Sequence, residues 1–101
     1  VEGRAATGAT GCLGITGSFV PLRRPDAEFG VVLTAVEEGS PADRAGLIVG
    51  DVVVAISGAP IIDEESLPAA ALRFVPGETV ELQVLRGGDP RAFIVVPTER
   101  S

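Results

Sequence analysis

The chain has 101 residues, of which 46% are hydrophobic and 22% charged, and its formal net charge is −6. This length and composition predict one globular domain with a modest core and argue against intrinsic disorder. The acidic balance argues against a nucleic-acid-binding surface and against electrostatic binding to anionic lipid, since both need clustered positive charge.

Histidine is absent, and Cys12 is the one cysteine in the sequence. A histidine-based catalytic triad or dyad and an internal disulfide therefore cannot be built from this chain alone. Metal sites lose their commonest nitrogen ligand, and we expect no metal and no other cofactor. No apolar run reaches the roughly 18 residues of a membrane-spanning helix. The sequence has no initiator methionine and no signal peptide, so we expect a segment of a longer protein.

The predicted elements begin after a small, glycine-rich tether over residues 1–10. We expect the domain itself over 11–98 and a short tail over 99–101. Residues 12–20, CLGITGSFV, predict a strand that begins at a glycine turn. The two prolines and four charges of 21–29 predict a surface loop.

Residues 30–36, GVVLTAV, predict a buried strand. The next stretch, GSPADRAGL, predicts a short helix. Ser40 suits its N-cap, Pro41 its first position, and Gly46 the left-handed residue that ends it. Residues 51–56 predict a third strand.

Pro68 restricts where the second helix can begin, because a proline deep inside a helix removes a backbone hydrogen bond. With Ser66 as N-cap we predict a helix over 67–74. The alternation of 78–86 predicts a strand, Gly87 to Pro90 a hairpin turn, and 91–97 the last strand. These elements predict an α+β, mostly β fold: a five- to six-stranded, partly open barrel or sandwich capped by two short helices.

Glycine inside the apolar run Leu13-Gly14-Ile15 is unusual at the start of a strand. Glycine weakens a strand and often marks the close approach of another backbone. A loop there can direct several amide N–H groups at one carboxylate, although an ordinary glycine turn is the simpler interpretation of the triplet alone. If the following strand is a free edge, an extended peptide can pair with it.

The run GVVLTAVEEGSPADRAGLIVGDVVVAISGAPI over 30–61 resembles the core of a PDZ domain. GSPADRAGL, GDVVVAI and the turn at Gly58 match the family pattern in order and spacing. GCLGI over 11–15 stands where the family places its carboxylate-binding loop. The segment 73–88, RFVPGETVELQVLRGG, is most similar to bacterial, circularly permuted PDZ domains of HtrA-type serine proteases.

The resemblance implies a peptide-binding module that is not itself an enzyme. It implies that the amides of Leu13, Gly14 and Ile15 hold the ligand's terminal carboxylate. The ligand strand would pair with the residues Ile15, Thr16, Gly17, Ser18 and Phe19. A pocket for a hydrophobic last side chain would be lined by Leu13, Ile15, Leu67, Pro68, Ala71 and Leu72. Arg4 is a remote candidate for a basic side chain near the carboxylate.

The family also implies a location in the bacterial envelope and possible attachment to a preceding protease domain. The alternative is a structural or assembly PDZ module of another bacterial envelope protein, with no free-tail ligand. We expect no nucleic-acid partner and no membrane span.

Several other residues allow two interpretations each. Cys12 suits either a redox switch or a small apolar residue of the loop. Arg23 and Arg24 suit either a partner contact or a solvated loop. The acidic run 63–65 could select basic ligands or favour the helix dipole. Asp51 could be interpreted as a catalytic carboxylate, but an aspartate at this position is typical of a turn that leads into a strand.

Overall fold

Six strands and two short helices make up the domain in the computed structural model, which describes residues 13–25 and 27–98. The elements are β1 (Ile15–Arg24), β2 (Ala27–Val36), α1 (Pro41–Ala45), β3 (Val52–Ile56), β4 (Ala59–Pro60), α2 (Ser66–Ala71), β5 (Val80–Arg86) and β6 (Asp89–Val95). The mostly β fold class with two short helices is confirmed. The expected tether, Cys12 and the tail lie outside the described residues.

The strands form one antiparallel sheet in the order β1-β2-β3-β5-β6, with the short β4 pairing with β3. β1 and β6 are the two outer strands of this order, so the sheet is not closed, as a partly open barrel requires. The consequence for function is that β1 has β2 on one side and no strand on the other among the described residues.

The loop predicted over 21–29 is wrong. β1 continues through Arg24, β2 begins at Ala27, and Pro21 pairs with Phe29 across the ladder. Proline is tolerated within a sheet on an edge strand, where its missing N–H faces away from the neighbour. The sequence suggested a loop because prolines and charged residues are typical both of surface loops and of exposed edge strands.

The helix α1 agrees with its predicted capping signals. The Ser40 hydroxyl oxygen accepts a hydrogen bond from the Asp43 N–H at 3.2 Å. At the other end Gly46 has φ 101°, in the left-handed region. The N–H groups of Gly46 and Leu47 donate to the carbonyls of Asp43 and Ala42 at 3.1 and 3.0 Å, the pattern of a Schellman cap.

The helix α2 begins and ends earlier than predicted. It spans Ser66–Ala71, and its N-cap is Glu65, which makes no side-chain cap. The Ser66 hydroxyl instead accepts hydrogen bonds from the N–H groups of Ile62 and Asp63, at 2.9 and 3.1 Å, and so stabilises the preceding turn. Pro68 does lie in the first turn, where its missing N–H has no intrahelical partner to lose.

The turn at Ser57 and Gly58 agrees with the sequence, but the strand that follows it and the bounds of the last hairpin turn do not. Ser57 and Gly58, with φ of 49° and 85°, reverse the chain into β4, a two-residue strand that the sequence did not predict. The last hairpin turns on Gly87 and Gly88 alone, so that β6 already begins at Asp89. Glycines at both central positions accommodate the positive φ values that a two-residue hairpin turn needs.

The core joins residues of the glycine loop, the strands and both helices. Fourteen buried residues form one hydrophobic cluster. It includes Leu13, Ile15 and Leu67, so that the glycine loop, the first residue of β1 and the helix α2 share one core. Phe19 and Phe29 pack against the cluster with stacked rings whose centroids are 5.2 Å apart.

Candidate functional site

The glycine loop before β1 is anchored through its carbonyl groups. The Leu13 carbonyl accepts a hydrogen bond from the Ala42 N–H in the first turn of α1, at 3.1 Å. The Gly14 carbonyl accepts a hydrogen bond from the Glu37 N–H just after β2, at 2.7 Å. Both carbonyls therefore point into the domain, toward α1 and β2.

Peptide geometry then determines where the amides point. In a trans peptide the carbonyl of one residue and the N–H of the next point in opposite directions, and the described residues contain no cis peptide bond. The Gly14 N–H is therefore directed away from α1, and the Ile15 N–H is directed away from β2. Two successive donors thus point away from the elements that anchor the loop.

Gly14 has a left-handed backbone conformation, and the protein itself fills the space beside it. Its φ is +78°, a value that residues with a side chain rarely adopt. A Cβ at this position would lie 2.2 Å from Ser40 Cβ and 2.7 Å from Ser40 Oγ. The missing side chain leaves space for the N-cap of α1, whereas the sequence argument had assigned that space to an approaching peptide.

The outer edge of β1 presents the backbone groups of alternate residues. The Leu33 N–H donates to the Asp51 carbonyl at 2.8 Å and the Leu33 carbonyl accepts from the Gly50 N–H at 2.9 Å, so Leu33 is bonded on the β3 side. Gly17 lies opposite Leu33 in the ladder. Since such a pair does not exchange hydrogen bonds, the N–H and C=O of Gly17 face the outer edge, as the Ile15 N–H does.

Among the strands that the structure describes, the one predicted to pair with a ligand therefore lies at a sheet edge. Its side chains alternate in exposure: Ile15 and Gly17 are buried and Ser18 is exposed, while Thr16 and Phe19 are half-buried. The assignment of these five residues to ligand pairing stays a prediction.

The six residues predicted to line the pocket divide by burial. Leu13, Ile15 and Leu67 are 0%, 3% and 0% exposed and belong to the core cluster. Pro68 and Ala71 on α2 are half-buried. Leu72, at the end of α2, is 89% exposed. The structure thus brings the first three together as packed core, and Pro68, Ala71 and Leu72 retain surface that a ligand could cover.

The surroundings of Asp51 are those of a buried carboxylate that stabilises the fold. It is 1% exposed, and its carboxylate receives two hydrogen bonds from Arg86 at 2.8 Å and one from the Ile48 N–H at 3.0 Å. Burial acts to raise the pKa of Asp51, but the Arg86 and Ile48 hydrogen bonds and the nearby positive charge outweigh it and lower the pKa. The same pair raises the pKa of Arg86, chiefly through the hydrogen bond with Asp51. This arrangement fits the turn interpretation of Asp51.

The other charged candidates lie at the ends of the elements. Arg23 is exposed and Arg24 half-buried at the end of β1, within a strand and not in the predicted loop. Asp63 accepts hydrogen bonds from the Glu65 N–H at 2.9 Å and from the Ser66 hydroxyl at 3.3 Å, so it stabilises the turn before α2. Arg4 and Cys12 lie outside the described residues.

Two residues of the site were missed by sequence reasoning. Ala42 supplies the N–H that orients the loop, and Ser40 occupies the space beside Gly14. The capping pattern identified both as helix residues, but nothing in the sequence indicated that the start of α1 contacts the glycine loop.

Metal-ligating clusters and membrane-spanning helices are both absent from the described part of the chain. Residues 13–25 and 27–98 contain no group of three or more carboxylate, thiol or imidazole side chains placed to hold a metal ion. None of the helices among them is long and apolar enough to cross a membrane.

A family comparison agrees with this geometry. The family model described as "PDZ domain" matches residues 11–96, so the chain belongs to the PDZ family. The resemblance expected from the glycine loop and the GSPADRAGL segment is confirmed.

Curated relatives place the chain among HtrA-type sequences. It is 40% identical over 70 residues to a probable periplasmic serine endoprotease, DegP-like, of Ectopseudomonas mendocina, covering 69% of this chain and 15% of that protein. It is 33% identical over 73 residues to human serine protease HTRA3, covering 72% of this chain and 16% of that protein. The chain thus spans about one sixth of these relatives. The similarity covers a PDZ domain, a non-catalytic module, and does not include the protease domain.

Solved structures give the same result. The HtrA-type protease AlgW with a decapeptide aligns with a TM-score of 0.72 at 26% identity, covering 88% of this chain and 29% of that chain. The HtrA3 PDZ domain bound to the phage-derived ligand FGRWV aligns with a TM-score of 0.60 at 34% identity, covering 67% of this chain and 62% of that chain.

Proposed function

We propose that this domain captures the free C-terminal tail of another protein by strand addition to β1. The terminal carboxylate would be held by the backbone amides of Leu13, Gly14 and Ile15, and the tail would run antiparallel along Ile15 to Phe19. Charge-assisted hydrogen bonds from preorganised amides are among the strong ones, which suits a ligand recognised mainly through its end group.

The observation that carries the proposal is the outward direction of the Gly14 and Ile15 N–H groups. It follows from two hydrogen bonds, from the Ala42 N–H to the Leu13 carbonyl and from the Glu37 N–H to the Gly14 carbonyl. No acceptor for the Gly14 N–H is recorded within residues 13–25 and 27–98. A carboxylate placed beside the loop would supply one.

A hydrophobic last residue fits the apolar surroundings of the loop. Leu13, Ile15, Leu67, Pro68, Ala71 and Leu72 are all apolar, and the buried three would form the floor while the helix residues form the wall. Burial of a Val or Leu side chain there would contribute roughly 1.5–3 kcal/mol. The ligand of the related HtrA3 domain, FGRWV, ends in valine, which supports this preference.

The parent protein that we propose is an HtrA-like serine protease of the bacterial envelope, in which this domain recognises substrates or regulates activity. The support comes from the relatives, several of which are named as periplasmic serine endoproteases. Their PDZ domain is a small part of a longer chain, so attachment to a protease domain is part of the proposal.

The test is a pair of peptides that differ only in the end group. Fluorescently labelled FGRWV is titrated with the domain as the free acid and as the C-terminal amide, and FGRWD serves as the side-chain control. We expect amidation to weaken binding by roughly 1.5–3 kcal/mol, the scale of a hydrogen bond to a charged group, or about tenfold to a hundredfold. FGRWD should also bind more weakly. Equal affinity for the acid and the amide would reject carboxylate capture.

A further inference from the structure

We propose that Pro21 ends the peptide-binding edge of β1 and so fixes how much of a bound tail is recognised as strand. This inference rests on the proposed function, because it assumes a ligand strand along β1. It adds a residue that determines ligand length, at a position outside the five residues predicted to pair.

The backbone alternation of β1 places Pro21 on the outer edge. The Ile15 N–H points away from β2, as the hydrogen bond from Glu37 N–H to the Gly14 carbonyl requires. In an antiparallel ladder the direction alternates with every residue, so odd-numbered residues of β1 face the same edge. Pro21 follows Ile15 by six positions and shares its direction.

An irregularity in the ladder does not disturb this alternation. The register passes from Thr16–Ala35 to Gly17–Leu33, so the extra residue, Thr34, belongs to β2 and β1 continues without an insertion. The hydrogen bonds of Leu33 to the β3 side independently place Gly17 on the outer edge. Two separate contacts, one on each side of the bulge, therefore give the same assignment.

At Pro21 the edge loses a donor. A proline has no N–H, so a ligand residue opposite Pro21 would find a carbonyl to donate to but no N–H to accept from. Pro21 is also exposed, and no strand among residues 13–25 and 27–98 lies on the outer side of β1. Its pairing with Phe29 on the inner side is unaffected, because the missing donor lies on the outer side.

The pairing register determines which ligand residue lies opposite Pro21. If the last ligand residue lies beside Ile15, each step of two residues along β1 advances two residues upstream in the ligand. The third residue from the end then lies beside Gly17, the fifth beside Phe19 and the seventh beside Pro21. A tail should therefore be recognised as strand over about six residues, and the chain upstream of them should be free of backbone pairing.

The experiment measures affinity against ligand length. Nested peptides of four, six, eight and ten residues end in GRWV and continue upstream with alternating Ser and Val. For the natural sequence we expect affinity to rise from four to six residues and then to level off. For Pro21→Val, which restores the N–H with a residue that favours strands, we expect the step from six to eight residues to improve affinity by about twofold to tenfold, the scale of one neutral hydrogen bond.

A matched control is Pro90→Val, which removes an exposed strand proline on β6 at the opposite end of the sheet order. It should leave the length profile unchanged. If Pro21→Val proves unstable, N-methylation of the ligand serves on the natural sequence: methylation of the fifth residue from the end should weaken binding, and methylation of the ninth should not.

The outcomes separate the two proposals. Suppose that free-acid peptides bind more tightly than their amides, but that the step from six to eight residues improves affinity as much as the step from four to six. The role of Pro21 would then be wrong, and carboxylate capture would stand. A Pro21→Val profile identical to that of the natural sequence would lead to the same conclusion. Failure of every length to bind, or equal binding of acid and amide, would overturn the carboxylate-capture model and this inference with it.

Discussion

The guanidinium of Arg86 donates to both carboxylate oxygens of Asp51, with Nε–Oδ1 and Nη2–Oδ2 distances of 2.8 Å. The same Nη2 donates to the Gly46 carbonyl at the C-terminal end of α1, at 2.8 Å. Since the other end of α1 donates the Ala42 N–H to the glycine loop, this ion pair stabilises the helix that orients the candidate carboxylate site.

Substitution of Arg86 should destabilise the domain more than substitution of Asp51. Arg86→Gln leaves a buried carboxylate without its cation, whereas Asp51→Asn leaves a guanidinium whose side chain is 31% exposed and can be hydrated. We expect Asp51→Asn to lower the free energy of unfolding by about 1.5–3 kcal/mol and Arg86→Gln to lower it more. Urea denaturation measures both, with the exposed Arg73→Gln as control. A smaller effect of Arg86→Gln would contradict this account of the pair.

Acid should weaken the same contact. The pKa of Asp51 is lowered in the folded state, so the unfolded chain takes up this proton at a higher pH than the folded chain does. Its contribution to stability is therefore fully present above the ordinary pKa, 3.8, and is lost as the pH falls below that value toward the folded pKa. We expect the stability difference between the natural sequence and Asp51→Asn to be constant from about pH 5 to 7 and to shrink below about pH 4. A difference independent of pH down to pH 2 would contradict it.

The contact between Gly14 and Ser40 should appear as coupling between two substitutions. Gly14→Ala forces a Cβ to within 2.2 Å of Ser40 Cβ and also strains a φ of +78°. Ser40→Gly removes that steric conflict and costs only a few tenths of a kcal/mol as an N-cap. We expect the double variant to recover stability relative to Gly14→Ala, with a coupling energy of about 1 kcal/mol or more.

Gly39 provides the control for the strain of the left-handed backbone conformation. Its φ is +76°, close to that of Gly14, but a Cβ there would have nothing within 4 Å. Gly39→Ala should therefore show the strain of the left-handed conformation alone, about 1–2 kcal/mol. Thermal and urea denaturation of the four variants give both quantities. Additive effects of Gly14→Ala and Ser40→Gly would show that the predicted conflict is relieved in another way.

The sequence predicted an element correctly where the interactions that form it are between neighbouring residues. The helix α1 was predicted with its caps because Ser40, Pro41 and Gly46 act on neighbouring residues. The extension of β1 through Pro21 was not, because whether a proline faces a strand or an open edge is decided by β2. The first residue of α2 was also misplaced, because the Ser66 hydroxyl serves the turn before the helix.

The candidate site shows the same limit. Gly14 was identified from its position in an apolar triplet, but the direction of its N–H depends on Ala42 and Glu37, which are distant in sequence. Burial of Leu13, Ile15 and Leu67 likewise results from tertiary packing. A family resemblance assigns these three residues to a pocket, and the structure shows them as members of the core cluster. Their part in a ligand pocket stays a prediction.

Leu67 and Leu72 provide the sharpest separation of stability from binding, because the two leucines lie on one helix segment with opposite exposure. Leu67 is 0% exposed and Leu72 is 89% exposed. Leu67→Ala should leave a cavity and lower the free energy of unfolding by about 2–5 kcal/mol. Leu72→Ala should change stability by less than about 0.5 kcal/mol, as expected for a surface substitution.

Truncation of Leu72 should weaken peptide binding to the folded protein although it leaves stability nearly unchanged. If Leu72 forms part of the pocket wall, its truncation removes apolar surface that the ligand's last side chain covers, and affinity for FGRWV should fall by roughly threefold to tenfold, about 0.7–1.4 kcal/mol. Ile94→Ala is the control, because Ile94 is 55% exposed on β6, the strand at the opposite edge of the sheet from β1. Fluorescence anisotropy with the free-acid peptide measures all three variants. Unchanged affinity for Leu72→Ala would remove Leu72 from the pocket, and the helix side of the groove would then consist of Pro68 and Ala71.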